Sequence, residues 1–178
     1  MKKCFSVVII EDDDVIRSSL LEEVDWSQLG CCVVASAGNG IDGIEVIEKH
    51  EPDLVVSDIL MPIMDGLSML REVHNRNLHF HTILLTGHEE FEAARQAIEL
   101  HVDRYLTKPL DLQAFHEAVS GIVSRMHALQ VTEEQVQNSL PILRQTLVMN
   151  VLFGRWVSEA DLIEQIAFAG AALASPYY

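Results

Sequence analysis

At 178 residues the chain has room for one domain of ordinary size plus a small remainder. With 49% hydrophobic and 22% charged residues it can build a real core, which excludes a globally disordered chain. Its formal net charge of −15 repels nucleic-acid phosphates and anionic lipid, so the segment is not expected to grip DNA or a membrane surface itself.

The first residues, Met-Lys-Lys-Cys-Phe-Ser-Val-Val-Ile-Ile, briefly imitate a signal peptide, but Glu11-Asp12-Asp13-Asp14 cuts the apolar run too early. No apolar stretch is long enough to span a bilayer. Cys4, Cys31 and Cys32 include no Cys-x-x-Cys, and adjacent Cys31 and Cys32 suit a strand better than a disulfide framework. A soluble protein of the reducing cytoplasm is expected.

Phe5 to Ile10 is the short apolar run of a buried strand. Val15, Ile16, Leu20, Leu21 and Val24 follow at helical spacing. Cys32 to Ala37 is a second strand, and Ile41 to Ile47 lies in a second helix. Asp53 to Ser57 is the third strand, and Gly66 to Val73 begins the third helix. Thr82 to Leu85 and Glu89 to Leu100 are the fourth strand and helix. Arg104 to Thr107 is a short fifth strand, and the fifth helix begins at Leu112. Strands alternating with helices predict right-handed βαβ crossovers and an α/β, doubly wound parallel sheet covered on both faces. Ligands of such sheets sit beyond the carboxyl ends of the strands.

From Leu112 the pattern changes. Leu112, Val119, Met126, Leu140 and Leu147 recur in sevens, with Glu133 in the gap, and Phe115, Ile122, Leu129, Val136 and Leu143 form a second series. These are the a and d positions of a coiled coil, interrupted by Glu133 and strained by Pro141. Residues 1–125 are therefore expected to form the α/β domain and 126–154 a helical linker with coiled-coil character. Pro141 should kink that linker or restart its helix, and Gly154 should end it. Ser158-x-x-Asp161 resembles a capping box opening a further helix to about Gly170, so 155–178 reads as the start of a truncated or small helical segment.

The chemistry lies at strand ends. Glu11 and Asp12 end the first strand, Asp58 the third and Thr86 the fourth; Lys108 follows the fifth, just before Pro109. If the strand order is 2-1-3-4-5, all five side chains can point into one cleft. Carboxylates held close repel unless a cation intervenes, and Mg²⁺ suits a site of few protein ligands and substrate oxygens. An aspartate can act as nucleophile and form an aspartyl phosphate. A lysine would neutralise charge on the transferring phosphoryl oxygens, and a threonine hydroxyl could donate to one of them. Asp13 and Asp14 read as favourable charges at a helix N-terminus, and Asp65-Gly66 as a plain turn before a helix. His79-x-His81 lacks matching Cys or carboxylate ligands, so zinc is not expected, and His88 reads as a solvated loop residue.

Four blocks carry a family resemblance: Val-Ile-Ile-Glu-Asp-Asp-Asp-Val-Ile-Arg, Ser-Asp-Ile-Leu-Met-Pro-Ile-Met-Asp-Gly, Leu-Leu-Thr-Gly and Tyr-Leu-Thr-Lys-Pro. In this order and spacing, from about residue 5 to 125, they resemble the receiver domains of response regulators in two-component signalling. The resemblance implies a flavodoxin-like (βα)5 fold of order 2-1-3-4-5 with a helical extension. It implies a phosphoacceptor at Asp58, served by a sensor histidine kinase, with Thr86 and Lys108 completing the catalytic set. It also implies Mg²⁺ ligands at Asp12, Asp58 and the main-chain carbonyl of Leu60, with Glu11 acting mainly through metal-bound water. Thr86 and Tyr105 should form a switch, and the Lys108–Pro109 peptide should be cis. Two positions depart from the pattern. Glu11 stands where aspartate is more usual, and Leu60 is apolar where side-chain identity can influence hydrolytic water.

Val-Asp-Trp-Ser-Gln-Leu-Gly (24–30), Gly-His-Glu-Glu-Phe-Glu-Ala-Ala (87–94) and Ser-Leu-Pro-Ile-Leu-Arg-Gln (139–145) further resemble receivers and linkers of AraC-type transcription regulators. Those carry C-terminal helix-turn-helix motifs, and no basic recognition helix occurs here. The chain is thus expected to be the N-terminal part of a longer regulator that reaches DNA only through a C-terminal domain. Homodimerisation is expected through the fourth helix, fifth strand, fifth helix and linker. The expected role is a phosphoacceptor, not an enzyme with its own substrate. Competing readings are a phosphorylation-independent pseudo-receiver and a Mg²⁺-dependent phosphatase of the haloacid-dehalogenase type. The latter needs a second aspartate where Leu60 stands.

Overall fold

The computed structural model describes residues 4–87 and 91–130. Strands β1 (Phe5–Ile10), β2 (Cys31–Ala37), β3 (Leu54–Asp58), β4 (His81–Thr86) and β5 (Arg104–Thr107) form one parallel sheet of order β2-β1-β3-β4-β5. Helices α1 (Asp14–Glu22), α2 (Gly40–His50), α3 (Gly66–Asn75) and α4 (Phe91–Glu99) connect them, and residues 112–130 form α5. This is the doubly wound α/β sheet expected from the alternation of apolar runs and amphipathic segments, in the flavodoxin-like order that the family resemblance implied. The chain divides into two units after Arg125, and the sheet lies in the first. Expectations for Pro141, Gly154, Ser158 and the heptads past residue 130 lie outside the described residues, as does His88.

Local chemistry starts three of the helices. Asp13 caps α1 by accepting from the amides of Val15 and Ile16. Asn39 caps α2 through the amides of Ile41 and Asp42, and Asp65 caps α3 through that of Ser68. Each satisfies amides that the first helical turn leaves without partners. Both strand faces are buried. Val8, Ile10, Val55 and Leu84 join a core cluster with Ile44 and Ile47 of α2 and Leu67, Leu70 and Val73 of α3. Strand alternation puts Val7, Ile9, Val56 and Ile83 on the opposite face. There α5 supplies Phe115, Val119 and Ile122, all fully buried. Helix α1 stops at Glu22, short of the expected Val24. Its continuation turns Trp26 into the core, where the indole N–H donates to the Leu20 carbonyl at 2.8 Å and the ring stacks edge-on against Phe115 at 5.8 Å.

The cysteines need a correction. Cys31 and Cys32 do lie on a strand, but Cys4 pairs with Cys32 as a disulfide, which the sequence reading did not expect. Register explains it. Ser6 lies opposite Cys32, and the two-residue strand period puts Cys4 on the same face, with Cα atoms 6.0 Å apart. Cys31 points the other way, and burial, with the Asp53 charge, pushes its thiol up to about 11.

Asp103, ahead of β5, ties three elements together. Its carboxylate accepts from the Thr82 amide at 3.0 Å, meets His81 Nδ1 at 3.0 Å and pairs with Arg125 of α5 at 2.6 Å. Burial by itself would raise this carboxyl. The His81 and Thr82 hydrogen bonds and the charges of His81 and Arg125 outweigh burial and hold it below the usual range. The contribution of a carboxyl so lowered is present above its unfolded value of 3.8 and is lost as pH falls through the folded value. Asp103→Asn should therefore lower the urea midpoint at pH 7 and flatten its fall below pH 4, as measured by denaturation across pH.

Candidate functional site

The carboxyl ends of β1, β3, β4 and β5 meet at one edge of the sheet. Asp58 is the last residue of β3 and is 5% exposed. Its Oδ1 accepts from the Ile59 amide at 2.6 Å and more loosely from the Leu60 amide at 3.4 Å. Its Oδ2 accepts from Lys108 Nζ at 2.7 Å. The same ammonium reaches both carboxylate oxygens of Glu11, at 2.9 and 2.8 Å. Lys108 is placed for this by the turn after β5, where its amide donates to the Thr86 carbonyl at 2.6 Å and the Lys108–Pro109 peptide is cis.

Burial and the shared ion pairs pull against each other here. Glu11 is fully buried, and loss of solvent raises its carboxyl, opposed by the Lys108 hydrogen bond and reinforced by the Asp58 charge. For Lys108, burial would lower the ammonium, but hydrogen bonds to Asp58 and Glu11 and their charges outweigh it and raise it. One cation thus holds two buried acids. Oxygens of Glu11, Asp12 and Asp58 lie within 4.8 Å of one another, with Asp12 on the exposed side. Such an all-oxygen set suits a hard divalent cation, and the lysine ammonium already occupies a cation's place between two of the acids.

Two further features support the loops. Gly66 has no side chain because none would fit: a Cβ there would lie 2.1 Å from the main-chain oxygen of Asp58. Its amide donates to the Ile59 carbonyl at 2.8 Å, folding the β3–α3 loop back over the strand end. Arg17 of α1 was not singled out in the sequence. Its Nη1 donates to the Glu11 carbonyl at 2.5 Å and its Nη2 pairs with Asp14, bracing the acidic loop from behind. Its place one turn into the helix, three residues after Asp14, was the only signal.

The predicted residues divide into two groups. Glu11, Asp12, Asp58 and Lys108 converge directly. Leu60 follows in the loop, 54% exposed, and Thr86 is buried at the end of β4, one register step beyond the Asp58–Leu85 pair. Tyr105 lies apart on β5, packed against the core cluster of α2, α3 and α4. His79 and His81 belong to the opposite end of the sheet, where β4 begins and His81 meets Asp103.

Known proteins match this arrangement. The family model for the response regulator receiver domain matches residues 7–120. A probable C4-dicarboxylate response regulator, DctR, of Priestia megaterium is 27% identical over 91% of this chain and 67% of its own length. The transcriptional regulatory protein HptR of Staphylococcus aureus is 31% identical over 75% of this chain. The chain spans about half the length of HptR, 50%. Among solved structures, the receiver domain of AraT, a response regulator from Geobacillus stearothermophilus, aligns with a TM-score of 0.66 and 36% identity over 71% of this chain and 98% of its own. A DNA-binding response regulator of the LuxR family from Staphylococcus aureus aligns with a TM-score of 0.61 and 27% identity, over 67% of this chain and 98% of its own.

Tyr105 carries one unmet demand: its hydroxyl is buried with no hydrogen-bond partner among the described residues. An unsatisfied buried hydroxyl costs free energy that phenylalanine would not. Tyr105→Phe should raise stability by about 1 kcal/mol, read from the urea midpoint.

Proposed function

The chain belongs to the response regulator receiver domain family, and from that premise we propose that Asp58 accepts a phosphoryl group from the phosphohistidine of a sensor histidine kinase. The observation that carries the reading is the Lys108 ammonium shared by buried Glu11 and Asp58 at the open edge of the sheet. Asp58 attacks phosphorus, a P–O bond to the carboxylate forms, and the P–N bond breaks with its electron pair left on the imidazole. The Ile59 amide keeps the Asp58 carboxylate oriented. Lys108 turns from Glu11 towards the phosphoryl oxygens, and the Thr86 hydroxyl donates to one of them.

The oxygens of Glu11, Asp12 and Asp58 fit Mg²⁺; Asp12, Asp58 and the main-chain carbonyl of Leu60 would hold it, with Glu11 supporting them from behind. When bound, the metal neutralises charge shared by the carboxylates and the transferring phosphoryl group. The movement of Thr86 vacates space for Tyr105, whose hydroxyl has no hydrogen-bond partner among the described residues, and the α4–β5–α5 face changes its packing preference.

In this reading the protein works in the cytoplasm; no helix among the described residues is long and apolar enough to cross a membrane. Residues 1–125 are the receiver, 126–154 the linker that supports a homodimer, and 155–178 the start of a further segment. DNA is reached through an AraC-type output domain outside these residues. The name of the HptR relative, a transcriptional regulatory protein, and the half of its length left unmatched support this.

With acetyl phosphate and Mg²⁺, intact mass should show one added phosphoryl group, lost in Asp58→Asn and abolished by EDTA. Incorporation that survives Asp58→Asn would sink the assignment. Leu60→Asn should speed decay of the phosphorylated protein about fivefold, the equivalent of one water-positioning hydrogen bond of ~1 kcal/mol. An unchanged decay rate would remove Leu60 from the account.

A further inference from the structure

The sheet itself brings Cys4 and Cys32 together. Phe5 pairs with Cys31 and Ser6 with Cys32 in the β1–β2 register. The Phe5 amide donates to the Gly30 carbonyl at 2.9 Å, and the Cys31 amide to the Trp26 carbonyl at 2.8 Å. This backbone pairing holds the two Cα atoms 6.0 Å apart, inside the range a disulfide spans. It needs no disulfide to form, so the reduced thiols stay opposed and ready to close.

The three cysteines differ in access. Cys4 is exposed, Cys32 half-buried and Cys31 buried. The Cys31 thiol lies 3.8 Å from the Leu29 carbonyl, on the other face of the strand, and burial keeps it protonated and a poor nucleophile. Chemistry is therefore confined to one accessible thiol and one partner behind it. A disulfide with an exposed sulfur is open to exchange. In the reducing cytoplasm proposed above, such bonds are transient and redox-sensing, not permanent staples.

We propose that Cys4 and Cys32 form a reversible redox site that exchanges with a small disulfide of the glutathione class, Cys4 as the attacking thiol and Cys32 as the resolving one. The Cys4 thiolate attacks one sulfur of the small disulfide, whose S–S bond breaks, and one small thiolate leaves. The Cys32 thiolate then attacks Cys4 Sγ, the mixed disulfide breaks, and the second small thiolate leaves. The two protein sulfurs give up two electrons, the small disulfide gains them, and the two thiol protons pass to the released thiolates. Excess small thiol runs the steps in reverse. Oxidation closes a loop from Cys4 to Cys32 that contains β1, Glu11, Asp12 and all of α1. Closure restricts the unfolded chain, so the oxidised form is the more stable one. The site stands apart from phosphate acceptance at Asp58.

The test equilibrates the full 178-residue chain with reduced and oxidised glutathione, from strongly reducing to strongly oxidising ratios. Free thiols are then alkylated in denaturant and the intact mass is read. Wild type should pass from three alkylated cysteines to one, with its midpoint inside the series. Cys31→Ala should titrate at the same ratio. Cys32→Ser should halt with one glutathione held on Cys4. The wild-type thermal midpoint should lie about 10 °C higher oxidised than reduced, a difference absent from Cys32→Ser. Three free thiols at every ratio overturn the redox site, and a bond that survives the most reducing ratio overturns its reversibility. Cys32→Ser that takes up no glutathione overturns the order of attack. Equal thermal midpoints overturn the restraint. Each of these failures leaves acetyl phosphate incorporation at Asp58 intact, whereas loss of that incorporation refutes only the phosphoacceptor reading.

Discussion

Buried carboxylates repel each other and resist ionisation, and at the heart of this protein one lysine settles the conflict between two of them. Lys108 can do so only because β5 lies beyond β4 in the sheet, and because the turn after β5 brings its amide onto the Thr86 carbonyl. The acids come from β1 and β3, which lie side by side through the crossover that sends β2 to the outer edge. The sheet order therefore determines where charge can gather. Gly66 then closes the β3–α3 loop tightly over the end of β3, and Arg17 braces the β1–α1 loop. A single ammonium shared by two acids is also an exchangeable arrangement. When a phosphoryl group adds negative charge, the lysine has somewhere to go, and one acid already has a cation's place beside it.

Much of the fold was legible because its causes are local. The run at Phe5–Ile10 matches the observed strand, since an inner strand of a parallel sheet covered on both faces demands a nearly continuous apolar segment. Asp13 and Asp65 declared themselves as helix starts because a cap needs only its own neighbours. The end of α1 was misjudged because its pattern ran on to Val24, while the indole of Trp26 found a partner in Phe115, far along the chain.

The site was legible in its residues and less so in its supports. Strand ends point to Asp58, Asp12 and Lys108 because the fold places reactive groups there. Nothing local shows that Asp103 gathers His81, Thr82 and Arg125, or that Cys4 faces Cys32; both depend on register and on elements distant in sequence. The left-handed backbone at Ile63 was hidden for a different reason. Isoleucine gives no sign of such a conformation, whereas glycine or asparagine would have announced it.

The Cys4–Cys32 disulfide makes the two margins of the sheet unequal. On one side β2 is an outer strand that the disulfide, where oxidised, joins covalently to the segment before its neighbour β1, so it cannot peel away without carrying that segment along. On the other side β5 is four residues long and largely exposed or half-buried, paired in the sheet to β4 alone and held otherwise by side chains, Tyr105 on the core cluster and Lys108 on Glu11 and Asp58. The sheet is thus joined covalently at one hem and by side-chain contacts at the other, and Tyr105 and Lys108 supply those contacts.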